Sequence, residues 1–231
     1  MPARAPRTAA WKSIAILVAV FAAAALLWET PVVWPLRVLV VFFHEASHGL
    51  AALATGGAID SLRILPDESG LATTRGGSAF AVYSAGYLGS LAFGAIALVV
   101  AARTRLDRAA AAVLGALLVA LTLLYVPLAN PFGFAFGLIA GAALLATARW
   151  LPAAVSDAAL RVIGVTSCGY AVIDIYSDVI ARPGLRSDAA LLADATGVPA
   201  LAWGAIWLAI AVAGGGAALW LAARGERGPG G

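Results

Sequence analysis

The sequence predicts an all-α polytopic membrane protein with six to seven transmembrane helices and a short β-hairpin between the second and third. Hydrophobic residues make up 62% of the 231 residues, charged residues only 12%, and the mean hydropathy is +0.94. A soluble domain has about 45–50% apolar and about 25% charged residues. The apolar residues fall in runs of about 20, the length of one membrane span. We predict one membrane-embedded domain, residues 1–231, with apolar segments at roughly 11–28, 32–54, 78–101, 109–128, 131–150, 159–180 and 199–222.

The first apolar segment follows Arg4, Arg7 and Lys12, an arrangement that is also typical of a signal peptide. We interpret the segment as an uncleaved span, because it is long for a signal core and because Trp28 and Glu29 form a poor cleavage context. Basic residues are nearly balanced between the two sides of seven spans. If the first helix sets the orientation, the amino terminus lies in the cytoplasm.

Two polar connections carry predicted structure of their own. Residues 55–77 begin and end with glycine pairs. Alternating apolar and polar residues over Ile59–Leu65, followed by a turn signal, predict a small β-hairpin against the membrane face. Residues 181–198 predict a short helix capped by Ser187 or Asp188. Neither connection is long enough to hold a soluble domain.

Charge and cysteine content exclude several classes of site. The net charge is only +3, and the 15 basic residues lie between apolar segments rather than on one face. We therefore expect no nucleic-acid partner. The single cysteine, Cys168, excludes an intrachain disulfide and a cysteine-rich metal site.

An HExxH motif lies in the second apolar segment, at residues 44–48, and contains both histidines of the chain. Residues four apart share one face of a helix, so His44 and His48 can bind one zinc ion. Glu45 lies about 100° around the helix and can reach a water molecule at the metal without being a ligand. Ionisable groups are costly inside a membrane, so their presence there indicates a functional site.

A catalytic zinc site needs a third protein ligand, and no histidine remains to supply it. Inside the apolar segments the carboxylates left are Asp174 and Asp178. Asp174 and His48 each lie about six residues, or roughly 9 Å, inside the same side of the membrane. Asp178 can pair with Arg182 one helical turn later. We predict Asp174 as the third ligand, with Asp178 as an alternative ligand or a supporting group, and a ligand from elsewhere remains open.

These residues resemble the site-2 protease family of intramembrane zinc metallopeptidases, specifically its compact bacterial branch. The resemblance rests on HEASH followed by GLAALATGG, on SAGYLGS at the start of the next segment, and on the late stretch YAVIDIYSDVI…SDAALLADATGVPALAWG. It implies one zinc ion per chain, bound by His44, His48 and Asp174, and Glu45 as the catalytic acid and base. It also implies a transmembrane protein substrate, reached within the lipid bilayer of a bacterial cytoplasmic membrane.

The chain departs from the pattern of better-known family members in one place. Their aspartate lies in an Asn…Pro…Asp-Gly motif, whose asparagine contacts the substrate, whereas Asp174 precedes Ile175. The comparable asparagine, Asn130 before Pro131, lies 44 residues upstream of Asp174. Two interpretations of Asn130 follow: a substrate or oxyanion contact, or the cap at the start of the fifth segment. Capping is favoured.

The function that these residues favour is hydrolysis of peptide bonds in membrane-spanning substrates, as in regulated intramembrane proteolysis. Glu45 would take a proton from the attacking water and deliver it to the leaving amine. The hairpin would capture the locally unwound substrate by strand addition, or act as a simple lid. Two alternatives remain open: a zinc-binding scaffold or transporter component without proteolysis, which would tolerate loss of Glu45, and a zinc hydrolase of a non-peptide amide.

Overall fold

The computed structural model describes residues 30–182 and 184–224, together with the isolated positions 19, 22, 26 and 27. The predicted first span, 11–28, lies almost wholly outside the described residues. Within the described part there are seven α-helices, one π-helical segment and one two-stranded antiparallel sheet. The predicted fold class is confirmed, and the hairpin stands where the sequence places it, between the helices of the second and third apolar segments.

The elements follow one another with short connections. Their bounds are α1 Trp34–Ala54, β1 Ala58–Ile64, β2 Gly70–Arg75, α2 Ala79–Arg103, α3 Asp107–Tyr125, α4 Pro131–Trp150, α5 Ala153–Ile175 with a π-helical continuation Tyr176–Ala181, α6 Asp188–Thr196 and α7 Ala200–Arg224. All the helices except α6 are long and apolar enough to cross a membrane. Six predicted spans therefore have a matching helix, with ends that differ by a few residues.

Helix α1 is the central element of the bundle. In α1, 67% of the most apolar stretch is buried inside the protein. The corresponding fraction in α3, α4 and α7 is 28%. Phe42 and Phe43 are almost fully buried in its middle, next to the HExxH motif. A helix buried on nearly all sides can hold polar groups that the lipid would not tolerate, which explains why the motif lies on this helix.

Small residues let the other helices approach closely. Gly94 of α2 lies against Gly164 and Ser167 of α5, and Gly137 of α4 lies against Thr122 of α3. An added Cβ at either of these α2 and α4 glycines would come within 2.5 Å of a neighbouring atom. The spacing of small residues four apart thus serves packing between helices of the same chain.

The hairpin consists of two antiparallel strands with glycines at its base. Its register runs from Ala58 opposite Arg75 to Ile64 opposite Gly70, with a bulge between Ile59 and Ser61. At the base, Gly56, Gly76 and Gly77 have φ between +66° and +84°. Only glycine adopts that backbone without a steric cost, so the paired glycines make the sharp turns between the helices and the hairpin.

The hairpin folds back along α1 instead of lying only at the end of that helix. Its seven-residue strand covers about 23 Å, and α1 is about 31 Å long, so the tip reaches the first turns of the helix. The sequence predicts a hairpin against the membrane face, whereas the structure places the hairpin along the helix that carries the HExxH motif. The hairpin contacts α1 from its base to its tip. Near the base, Ile59 packs against Gly49, and further along Gly70 packs against Glu45. At the tip, Glu68 pairs with Arg37 at 2.8 Å, and the Pro66 carbonyl oxygen accepts a hydrogen bond from Trp34 Nε1 at 2.9 Å.

Candidate metal centre

The two histidines of the HExxH motif direct their Nε2 atoms towards one point beside α2. Their ring centroids are 4.8 Å apart. A Cβ added at Gly86 of α2 would lie 2.4 Å from Nε2 of His44 and 2.5 Å from Nε2 of His48. The helix can pass this close to both rings only because residue 86 has no side chain.

A third polar group reaches the same point from α6. The Oδ2 atom of Asp188 lies 3.1 Å from Nε2 of His44 and 3.3 Å from Nε2 of His48. Asp188 stands in the first turn of α6, where the hydroxyl of Ser187 caps the helix by accepting from the Ala190 N–H. The predicted cap is thereby confirmed at Ser187. The cap fixes the start of α6 and so sets where the Asp188 side chain leaves the backbone.

The orientation of the His48 ring shows that these three groups need a positive charge between them. Its Nδ1 is 2.7 Å from the carbonyl oxygen of Val82, which can only accept, so Nδ1 carries the proton. In a neutral ring, Nε2 then presents a lone pair to the carboxylate of Asp188. The Oδ2 atom of Asp188 is buried and faces both Nε2 atoms, so a ring can donate to it only when that ring is protonated at Nε2. A proton or a metal ion at this point would remove the repulsion.

The donor set fits a metal ion. One ligand atom from each of His44, His48 and Asp188 can be chosen so that all lie within 4.8 Å of one another. Two imidazole nitrogens and a carboxylate oxygen are a common set of protein ligands for a catalytic zinc ion. Burial would raise the pKa of Asp188, but the neighbouring rings of His48 and His44 together lower that pKa below its usual value. These rings lower the pKa when they are protonated; a metal ion held between them would favour the ionised carboxylate in the same way, and a ligand must be ionised.

Glu45 lies beside the histidines and under the hairpin. It is buried, 7% exposed, and its carboxylate lies beside the backbone of Ala72 in β2. A Cβ at Gly70 would lie 2.4 Å from Oε1 of Glu45. Strand β2 therefore covers the carboxylate with backbone only, and the absence of a side chain at Gly70 is what permits this approach.

A cavity of about 630 Å³ joins these groups. Its wall includes both histidines, Glu45, the strand β2 from Gly70 to Ala72, the end of α5 and the segment that leads to Asp188. Non-helical backbone at membrane depth is tolerated where it is buried in protein or lines a water-filled cavity. The hairpin and the cavity together therefore provide a polar space among apolar helices.

The family model described as Peptidase M50B-like matches residues 17–218. The chain belongs to the site-2 protease family. The match includes the HExxH motif, the hairpin, Asp188 and most of α7. Membership in this membrane-protease family and the six apolar helices support an integral, multi-pass membrane protein. No curated protein and no solved structure matches the chain.

In this member of the site-2 protease family, Asp174 at the end of α5 and Asp178 in its π-helical continuation do not meet the Nε2 atoms. Oδ2 of Asp174 is 4.0 Å from Nδ1 of His44, the ring nitrogen that does not face Asp188. Asp178 forms the predicted ion pair with Arg182 and also accepts a hydrogen bond from the Tyr87 hydroxyl at 3.1 Å. The geometry thus brings Asp188, and not Asp174 or Asp178, to the point where both histidines meet. Asp174 as a ligand stays a prediction from the sequence.

Asn130 stands apart from the cavity. Its Oδ1 accepts a hydrogen bond from the Gly133 N–H at 2.9 Å, which caps α4. The capping interpretation is confirmed. The Asn130 side chain is buried at the start of α4 and does not belong to the cavity wall among the described residues, so nothing in the structure supports a substrate contact there.

From the sequence, Asp188 is a candidate helix cap and part of the late stretch that resembles the family, but it lies outside the apolar segments in which a third ligand is expected. A signal was nevertheless present. Asp188 follows the sixth segment on the side of the membrane where the HExxH helix also ends, and it opens a short helix after a capping serine. A short helix in such a connection can direct a carboxylate back into the bundle. A carboxylate outside the membrane spans can therefore still reach a site inside them.

Proposed function

We propose that the protein is an intramembrane zinc metalloprotease that hydrolyses peptide bonds of membrane-spanning protein substrates. One observation carries the proposal: the Nε2 atoms of both motif histidines converge within 3.3 Å of a buried carboxylate oxygen of Asp188. Glu45 lies beside this cluster in a cavity among spanning helices. Membership in the site-2 protease family supports the same reaction class.

In this proposal His44, His48 and Asp188 hold one zinc ion. A zinc ion in such a site supplies Lewis acidity that polarises a carbonyl group and makes water more acidic. Asp188 takes the role that the family resemblance would give to Asp174. Its carboxylate balances the charge of the ion, and the close backbone of Gly86 limits how far either ring can turn.

Glu45 transfers the proton. Its carboxylate takes a proton from the attacking water as the oxygen–carbon bond forms, and it gives that proton to the amide nitrogen as the carbon–nitrogen bond breaks. The products are a carboxylic acid and an amine, so no further reactant is required. The backbone of β2 at Gly70 packs against the carboxylate and limits the positions it can take before the substrate binds.

The edge of the hairpin would hold the substrate. Strand β1 packs against α1 and pairs with β2, whereas β2 lines the cavity at Gly70, Leu71, Ala72 and Thr74. An extended backbone can add to the open edge of a strand by main-chain hydrogen bonds, independently of its side chains. A transmembrane helix that unwinds locally would thereby present its peptide bond beside Glu45.

The test measures zinc content and cleavage together. Four purified proteins are compared: the wild type, Glu45→Gln, Asp188→Asn and the control Asp157→Asn. The zinc content of each is measured, and each is incubated with a panel of transmembrane peptides. Asp157 lies on α5 and pairs with Arg161 outside the cavity. We expect one zinc ion per chain in the wild type, Glu45→Gln and the control. The cleavage rate should fall by about 10²–10⁴-fold in Glu45→Gln. The affinity for zinc should fall in Asp188→Asn.

Two results would contradict the proposal. Cleavage that survives in Glu45→Gln would remove Glu45 from the reaction. Zinc bound tightly by a wild type that cleaves no peptide in the panel would favour a non-proteolytic zinc-binding protein. Equal zinc affinity in Asp188→Asn and wild type would separately remove Asp188 from the ligand set.

A further inference from the structure

The two histidines have different groups at the ring nitrogen that faces away from Asp188. Nδ1 of His48 donates to the Val82 carbonyl oxygen at 2.7 Å. Nδ1 of His44 faces the carboxylate of Asp174, whose Oδ2 is 4.0 Å away. A histidine that binds a metal through Nε2 carries a proton on Nδ1, and that proton almost always has an acceptor. His48 has such an acceptor already.

Two groups lie against the His44 ring: Asp174 at the end of α5 and Tyr87 of α2. The ring of Tyr87 meets the His44 ring edge to face, with centroids 4.8 Å apart. The Tyr87 hydroxyl donates to Asp178, which lies in the π-helical continuation of α5, four residues after Asp174. The end of α5 and its continuation therefore present Asp174 to Nδ1 and bond the tyrosine that packs on the ring.

The side chain of Asp174 suits an acceptor role. It lies in the wall of the cavity and is 23% exposed. A carboxylate, when ionised, is a stronger acceptor than a carbonyl group. The 4.0 Å separation must shorten by about 1 Å for a direct hydrogen bond, a movement that a small tilt of the ring or of the carboxylate provides.

We propose that Asp174 is a positioning residue for His44: it accepts the Nδ1–H and so holds Nε2 towards the metal. This inference rests on the part of the proposed function that places a metal ion on His44, and it does not require proteolysis. Asp174, which the sequence predicts as the third metal ligand, thus contacts a ligand instead of the metal. A carboxylate at this position also raises the basicity of the imidazole, which strengthens metal binding.

The chain suits a direct measurement, because it has only two histidines. With ¹⁵N-labelled histidine, the zinc form has two Nδ1–H resonances. In Asp174→Asn and Asp174→Ala we expect the His44 resonance to shift, while the His48 resonance, bonded to Val82, stays in place. Zinc affinity, measured by chelator competition, should fall by about 10–100-fold in Asp174→Ala and by less in Asp174→Asn. The control Asp157→Asn should change neither quantity.

Cobalt substitution separates positioning from ligation. A positioning role leaves the ligand set intact, so the visible bands of the cobalt form should keep their energies in both Asp174 variants and change in Asp188→Asn. Cobalt bands that change in Asp174→Asn would make Asp174 a ligand and overturn the inference. An unshifted His44 resonance with wild-type zinc affinity in Asp174→Asn, which preserves shape, would overturn it as well. Both readouts are independent of cleavage, so a failure of the proposed protease activity is seen separately.

Discussion

The two halves of the candidate metal centre come together in different ways. His44, Glu45 and His48 lie within five residues of one helix, in the most buried element of the bundle. Asp188 follows His48 by 140 residues and depends on the path of the connection between α5 and α6. Helical periodicity alone brings the first three residues together. The fourth reaches the site only through tertiary packing, so the two halves should respond differently to substitution.

The second half also has a less regular backbone. Helix α5 ends in the π-helical segment Tyr176–Ala181, a form that occurs frequently at functional sites. Arg182 bonds both Ser177, at 2.9 Å, and Asp178, and so ties the start of the connection to the helix end. The position of Asp188 therefore depends on these polar contacts of partly exposed groups as well as on the buried packing of Ala189 and Leu192 of α6, whereas the histidines lie on one long buried helix.

The largest expected effect comes from a substitution that moves both histidines of the first half. In Gly86→Ala the added methyl group would lie within 2.5 Å of both Nε2 atoms. We expect metal binding to be lost while the protein remains folded, because the clash is at the ends of two side chains. Zinc content after purification measures this. Gly216→Ala on α7, where a Cβ meets no atom within 4 Å, is the matched control; full zinc in Gly86→Ala would disprove the described convergence.

A smaller effect should follow when the cover over Glu45 is displaced. In Gly70→Ala the new Cβ would lie 2.4 Å from Oε1 of Glu45, so β2 or the carboxylate must move. We expect cleavage to fall by about 10–100-fold, the usual result of a misplacement near 1 Å, with zinc content unchanged. Initial rates on a transmembrane peptide give the size of the decrease. Gly184→Ala, with open space around the added Cβ, is the control, and equal rates in both variants would show that the hairpin does not constrain Glu45.

The smallest effect should come from a residue outside both halves. Asn130→Ala removes the cap of α4 and should lower the free energy of unfolding by about 1 kcal/mol. Zinc content and cleavage rate should not change, because the side chain lies outside the cavity wall. Thermal unfolding in detergent and the peptide assay measure the two quantities. A large loss of cleavage without a loss of stability would restore Asn130 as a substrate contact.

Much of the fold and half of the candidate site were predictable from local patterns. Apolar runs of span length predicted six helices, alternation predicted the hairpin, and the five-residue motif predicted that both histidines share a face. The predicted pairing of Asp178 with Arg182 and the cap at Ser187 also follow from neighbours in the chain. Each of these features depends on residues a few positions apart, where backbone geometry is nearly fixed.

The sequence by itself determined the membrane-embedded class, the order of the helices and the identity of the HExxH helix. Only the tertiary structure decided that Asp188 reaches the histidines, that Asp174 faces the other ring nitrogen of His44, and that the hairpin folds back along α1 to cover Glu45. The physical reason is that helix and strand periods fix which side of an element a residue occupies. Whether two elements meet depends instead on packing and on the course of the short connections. Here glycines such as Gly86 let the backbones approach closely.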